Sequence, residues 1–98
     1  MAYVETLRKV KADLRITHTA LDEDLQDQID ACMADLDVTA GVSYHDETDP
    51  LILSAIKLWC RAHYTDDTGK ADAYMARYNA MKGSLEMAAG YGGNGDDD

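Results

Sequence analysis

The sequence predicts a small all-α, four-helix domain with a central buried helix and a flexible C-terminal tail. Three observations carry this. Apolar residues recur every three or four positions through four separate stretches. The links between neighbouring stretches are mostly short and polar. The most apolar run, residues 49–64, opens on Asp49-Pro50. A carboxylate there can accept the orphan amides of a first turn, and proline is preset for the first helical position. A chain of 98 residues makes one domain, with 1–87 as the folded helical part and 88–98 as the acidic tail.

In that central run, Leu51, Ile52, Ala55, Ile56, Trp59, Ala62 and His63 fall at helical spacing, and Leu58 and Cys60 widen the apolar arc. A helix apolar over most of its circumference belongs in the middle of a bundle. Lys57 and Arg61, one turn apart, mark the narrow face expected to reach water. Trp59 is the only tryptophan and the chain has no phenylalanine, so Trp59 is expected to be the largest contributor to the core.

The first helix is expected over 3–14, with Val4, Leu7, Val10 and Leu14 as a narrow stripe. Arg8, Lys9, Lys11 and Arg15 place four of the nine basic residues in or beside it. Residues 15–18 break the pattern. The second helix is expected over 19–37, where Thr19 and Asp22 approximate a capping box and Asp22, Glu23 and Asp24 suit the positive end of the helix dipole. Its core stripe is Leu21, Leu25, Ile29, Cys32, Met33 and Leu36, and its opposite face, Asp24, Asp27, Asp30 and Asp35, is acidic. Gly41 is a candidate left-handed cap. A loop over 38–48 follows, with Val42, Tyr44 and His45 as a candidate partner-docking loop. After a polar connection at 65–69, the fourth helix is expected over 70–87. Its stripe of Ala71, Tyr74, Met75, Tyr78, Met81 and Leu85 uses residues suited to half-wet contacts with neighbours. Gly83 is a weak point in it. The expected core centres on Leu25, Ile29, Leu51, Ile52, Ile56 and Trp59.

The bulk properties narrow the function. A formal charge of -10 argues against a clamp on the nucleic-acid backbone, though such a chain can surround DNA without gripping it. No run approaches the roughly 20 apolar residues of a membrane span. No basic start precedes an apolar block, so a cytosolic protein is expected, with Cys32 and Cys60 as buried free thiols. No cofactor or metal is expected. His18, His45 and His63 lack partners at ligand spacing, and Cys60 and His63, three apart on one helix, make at most half a metal site. The segment 66–70 lacks the alternating acids and closing glutamate of a calcium loop and reads as a capped turn. No nucleophile has an adjacent base, so no enzymatic constellation is legible. The charge order is the most informative feature: a basic first helix, then no Lys or Arg between Arg15 and Lys57. Helix one covering part of helix two would account for it. So would head-to-tail association, with Arg8, Lys9, Lys11 and Arg15 of one copy meeting Asp24, Asp27 and Asp30 of the next and Tyr74 and Tyr78 assisting. Such heterologous contacts close into rings when the rotation permits.

Three segments in order carry a resemblance: Lys11-Ala12-Asp13-Leu14-Arg15-Ile16; Asp22-Glu23-Asp24-Leu25-Gln26 through Ile29-Asp30-Ala31; and Pro50-Leu51-Ile52-Leu53-Ser54-Ala55-Ile56 through Trp59, His63 and Tyr64. Over residues 3–87 the chain resembles the head-tail connector (head-completion or adaptor) proteins of tailed bacteriophages. The resemblance implies a non-catalytic virion protein that forms a ring, typically of about twelve copies, beneath the portal protein. The ring would extend the DNA channel and offer a tail-terminator or stopper protein a docking surface, with DNA passing through unbound and no membrane involved. The residues alone leave another class open: an acidic helical module that masks a basic partner, as a DNA mimic does.

Overall fold

The computed structural model describes residues 4–41 and 49–87. Four helices occur in the order α1 (Val4–Leu14), α2 (Asp22–Ala40), α3 (Pro50–Tyr64) and α4 (Thr68–Met87), and no strand is present among the described residues. The domain is all-α, as expected. The candidate docking residues Val42, Tyr44 and His45 and the tail at 88–98 lie outside the described residues.

The central position of α3 follows from its sequence. Asp49 caps it, its Oδ1 accepting from the amides of Leu51 and Ile52 at 3.0 and 3.3 Å, and Pro50 begins the helix. Ile52, Leu53, Ala55, Ile56 and Cys60 are buried, and α3 packs against all three other helices. Helix α2 contributes Leu25, Ile29, Cys32, Leu36 and Ala40 to the same core. It ends at Gly41, whose φ of 67° supplies the left-handed cap.

Several expectations are corrected. Leu51 is 47 % exposed, because it leaves the first turn of α3 on the outer side. Trp59 is only partly buried: its ring sits at the rim, stacks on the exposed His63 at 4.9 Å, and its indole N–H donates to Gln28 Oε1 at 3.0 Å. The largest fully buried side chain is Tyr78 of α4, which meets Trp59 edge-on at 5.2 Å. His63, expected on the buried side, is exposed, with Nδ1 2.8 Å from the Trp59 carbonyl oxygen. Much of the Tyr/Met stripe of α4 serves its own core, with Met75 and Met81 packed around buried Tyr78 and Leu85, while Tyr74 and one side of Met81 face open clefts.

Helix boundaries also shift for local reasons. Helix α2 starts at Asp22, not Thr19. The Thr19 carbonyl accepts from the Asp22 amide at 3.1 Å, forming a turn ahead of the helix, and no side chain caps the Leu21 position. Helix α4 starts two residues early because Asp67 Oδ1 accepts from the Lys70 amide at 3.1 Å. Helix α1 ends in a Schellman motif without glycine. Ile16 N–H donates to the Lys11 carbonyl at 2.8 Å and Arg15 N–H to that of Ala12 at 3.2 Å, which puts Arg15 at φ 61°.

Candidate functional site: two charged faces

Two of the four cations expected to form a basic surface with α1 are paired inside the chain, while Lys9 and Arg15 make no ion pair among the described residues. Arg8 pairs with Glu5 one turn away at 2.7 Å. Lys11, half-buried, reaches Asp22 Oδ1 at 2.6 Å as an ion contact off the hydrogen-bonding axis, so α1 does cover the start of α2. Tyr78, expected at a subunit contact, is inaccessible. Its hydroxyl donates to Asp35 Oδ2 at 2.6 Å, and Lys82 joins the same oxygen at 3.0 Å. Asp35 therefore faces α4 rather than sharing the outer acidic face of α2. Burial raises the Asp35 pKa, and the hydrogen bonds from Tyr78 and Lys82 outweigh it, holding the carboxyl below its ordinary range. Asp24, also expected at the contact, accepts a hydrogen bond from the Tyr64 hydroxyl while staying exposed.

A different basic surface emerges between α1, α3 and α4. At its centre Arg61 grips Asp13 with two hydrogen bonds, Nε to Oδ2 at 2.7 Å and Nη2 to Oδ1 at 2.6 Å. The Asp13 carboxylate lifts the already high Arg61 pKa, and the guanidinium lies 5.9 Å from the Tyr74 ring centroid. Two open clefts flank this pair. One, of about 350 Å³, is lined by Leu14, Arg15, Tyr64, Thr65 and Tyr74. The other, of about 500 Å³, is lined by Ser54, Lys57, Leu58, Arg77 and Met81. Among the described residues Arg15, Lys57 and Arg77 make no ion pair or side-chain hydrogen bond. Of the expected contact residues, only Arg15 and Tyr74 belong to this surface.

The acidic surface is the outer face of α2. Glu23, Asp24, Asp27, Asp30 and Asp37 are all exposed, and none makes an ion pair among the described residues. Ala31, Ala34 and Val38 lie between them, Val38 at 81 % exposure.

The two surfaces face mainly different sides of α3 and abut at Tyr64, which lines the first cleft and donates to Asp24. Trp59 bonds Gln28 of α2, whereas Lys57 stands about 200° around the helix from Trp59 at 100° per residue. No residue of α2 lines either cleft.

A third cleft, about 520 Å³ and mostly apolar, lies along α1 between Val4, Leu7 and Ile16. Among the described residues no group of three or more His, Cys, Asp or Glu side chains is placed to hold a metal, and no helix is long and apolar enough to cross a membrane. Arg77 and Lys57 were not singled out for a site in the sequence; the signal available was Lys57 and Arg61 on one face of an otherwise apolar helix. No protein-family model, curated protein or solved structure matches the chain.

Proposed function

We propose that this chain is a structural subunit of a tailed-bacteriophage neck, joining the DNA-filled head to the tail as a ring beneath the portal protein. The observation that supports it is a cationic surface and a carboxylate surface, each without ion-pair partners among the described residues at Arg15, Lys57 and Arg77 and along the outer face of α2, facing mainly different sides of one small helical domain. Complementary surfaces that face different ways suit a head-to-tail contact better than a two-fold one, and head-to-tail contacts close into a ring or continue as a filament. A chain with a charge of -10 gives such a ring an acidic character that repels phosphate, which suits a channel through which DNA slides. The role is structural rather than catalytic, and the portal on one side and a stopper or tail-terminator on the other are its proposed partners.

The test is the mass of the purified protein over a concentration series, by sedimentation and native mass spectrometry, alone and with portal-bearing capsids. A ring-sized species, or stoichiometric capture at the portal vertex, is the expected result. A monomer at every concentration that also ignores capsids overturns the reading.

A second reading draws on the acidic face of α2 alone. Exposed carboxylates without cation partners along one helix suit an acidic module that covers a basic protein. It requires no self-association, and a stable one-to-one complex with a basic partner in a pull-down distinguishes it.

A further inference from the structure

We infer that the clefts around the Asp13–Arg61 pair are the docking site for the outer face of α2 from a second copy of this chain. The inference rests on the ring reading and names its contact. It moves that contact away from Arg8 and Lys11, which pair within the chain, to Arg15, Lys57 and Arg77.

Four observations converge. First, Arg15, Lys57 and Arg77 have no ion-pair or side-chain hydrogen-bond partner among the described residues, in a chain whose acidic residues outnumber its basic ones 19 to 9. Second, Arg15 holds a left-handed backbone at φ 61°, a conformation that glycine adopts without strain and arginine does not. The hydrogen bonds that end α1 account for the conformation but not for arginine in it, and its exposed side chain, without a partner among the described residues, is open to a contact outside its own subunit. Third, exposed ion pairs alone bind weakly, so a docking site needs apolar surface as well. The cationic clefts supply Leu14, Leu58, Tyr74 and Met81, and the α2 face supplies Ala31, Ala34 and Val38 among its carboxylates. Small side chains at 31 and 34 let the helix approach closely, as a helix laid into a groove requires. Fourth, the two surfaces abut at the Tyr64–Asp24 bond, and no residue of α2 lines either cleft, so each copy can give one and receive one.

A nucleic-acid phosphate is the competing occupant of the cations. The chain's overall charge opposes its approach, and the only aromatic rings lining the clefts are Tyr64, whose hydroxyl is bonded to Asp24, and Tyr74, which lies beside the Arg61 guanidinium.

The experiment uses two charge-reversed variants of the full chain, K57E/R77E and E23K/D27K, with circular dichroism and melting temperature confirming the helical fold. Self-association is read by sedimentation, separately and in an equimolar mixture, beside binding of a fluorescent double-stranded DNA oligonucleotide. Each variant alone is expected to associate roughly tenfold or more weakly than the native chain, because every contact then opposes like charges. The mixture is expected to recover association, since reversed meets reversed and native meets native. Variants that assemble like the native chain, or a mixture that fails to recover, overturn this contact while leaving the ring reading standing. A native chain that never associates, alone or with capsids, overturns both. DNA binding lost in K57E/R77E with assembly unchanged assigns the cations to phosphate and overturns it too.

Discussion

Arg61 and Asp13 are 48 residues apart in sequence and joined by a two-pronged hydrogen-bonded ion pair that ties α3 to α1. Solvent reaches the Arg61 side chain, which is 38 % exposed, more easily than that of Asp13. A planar fork matched to a carboxylate is specific to arginine, so lysine cannot reproduce it. Arg61→Lys is expected to lower stability by about 1–2 kcal/mol after allowance for solvent screening. Urea denaturation would show it as a lower midpoint with an unchanged slope. Asp13→Asn should fall in the same range, and the double variant should cost less than the sum.

Tyr78 and Asp35 set the acid limit. The folded-state pKa of Asp35 is held below its ordinary value of 3.8, so its bonds to Tyr78 and Lys82 stabilise the fold above that value. The contribution is lost as pH falls through the lowered folded-state pKa. Comparing melting temperatures of the native chain and Asp35→Asn from pH 6 to pH 2 tests this on the order of the ordinary carboxyl range. The native advantage should be constant near neutrality and shrink below about pH 4. A gap that stays constant to pH 2 would place the stabilisation elsewhere.

The alkaline limit comes from the same part of the core, where Cys32 lies against Tyr78. Burial pushes the Cys60 thiol up to about 12 and raises Cys32 as well, each from an ordinary value of 9.0. Burial and the Asp35 carboxylate also raise the Tyr78 phenol. Above pH 9 the unfolded chain releases thiol protons that the folded chain keeps, so stability falls as pH rises from there towards about 12. Cys60→Ala is expected to be less stable at neutral pH yet to show a flatter decline above pH 9. In the native chain a thiol reagent at neutral pH should label neither cysteine until denaturant is added, since both are buried.

What was legible in the sequence was whatever local chemistry dictates. Asp49-Pro50 could only open a helix, the spacing of Leu25, Ile29, Cys32 and Leu36 could only bury one face, and Gly41 marked its end. What was not legible depended on partners distant in sequence. Arg15 takes a glycine's place in the Schellman motif, so the end of α1 carried no glycine to read. Periodicity put Trp59 inside, but the indole N–H needs an acceptor, and Gln28 holds it at the rim. The candidate site suffered most. Charge order along the chain suggested a contact between opposite charges, yet it could not show that Lys11 satisfies Asp22 within the chain or that Lys57 and Arg77 line one cleft from two helices.

Gly83 interrupts α4 without a packing reason. A Cβ built there meets nothing within 4 Å, and the residue lies inside the helix. Gly83→Ala removes backbone freedom from the unfolded chain and adds a better helix former, so it should stabilise by roughly 0.5–1 kcal/mol. A rise in melting temperature with an unchanged circular dichroism spectrum checks it. No gain would mean that the last turn of α4 is held by something other than its own helical propensity.

Arg15 separates stability from assembly. Its side chain is exposed, with no ion pair among the described residues, and its backbone is left-handed, so Arg15→Gly relieves strain and removes a cation at once. Relief of the left-handed penalty, offset by glycine's freedom in the unfolded state, should leave the domain more stable by up to about 1 kcal/mol. The same variant should self-associate more weakly, because a cation beside Tyr74 is gone from the docking cleft. Arg15→Lys is the control. It keeps charge and strain, and should associate almost as the native chain does with no gain in stability. If Arg15→Gly is stabilised and assembles undiminished, then Arg15 serves neither surface, and the basic contact narrows to Lys57 and Arg77.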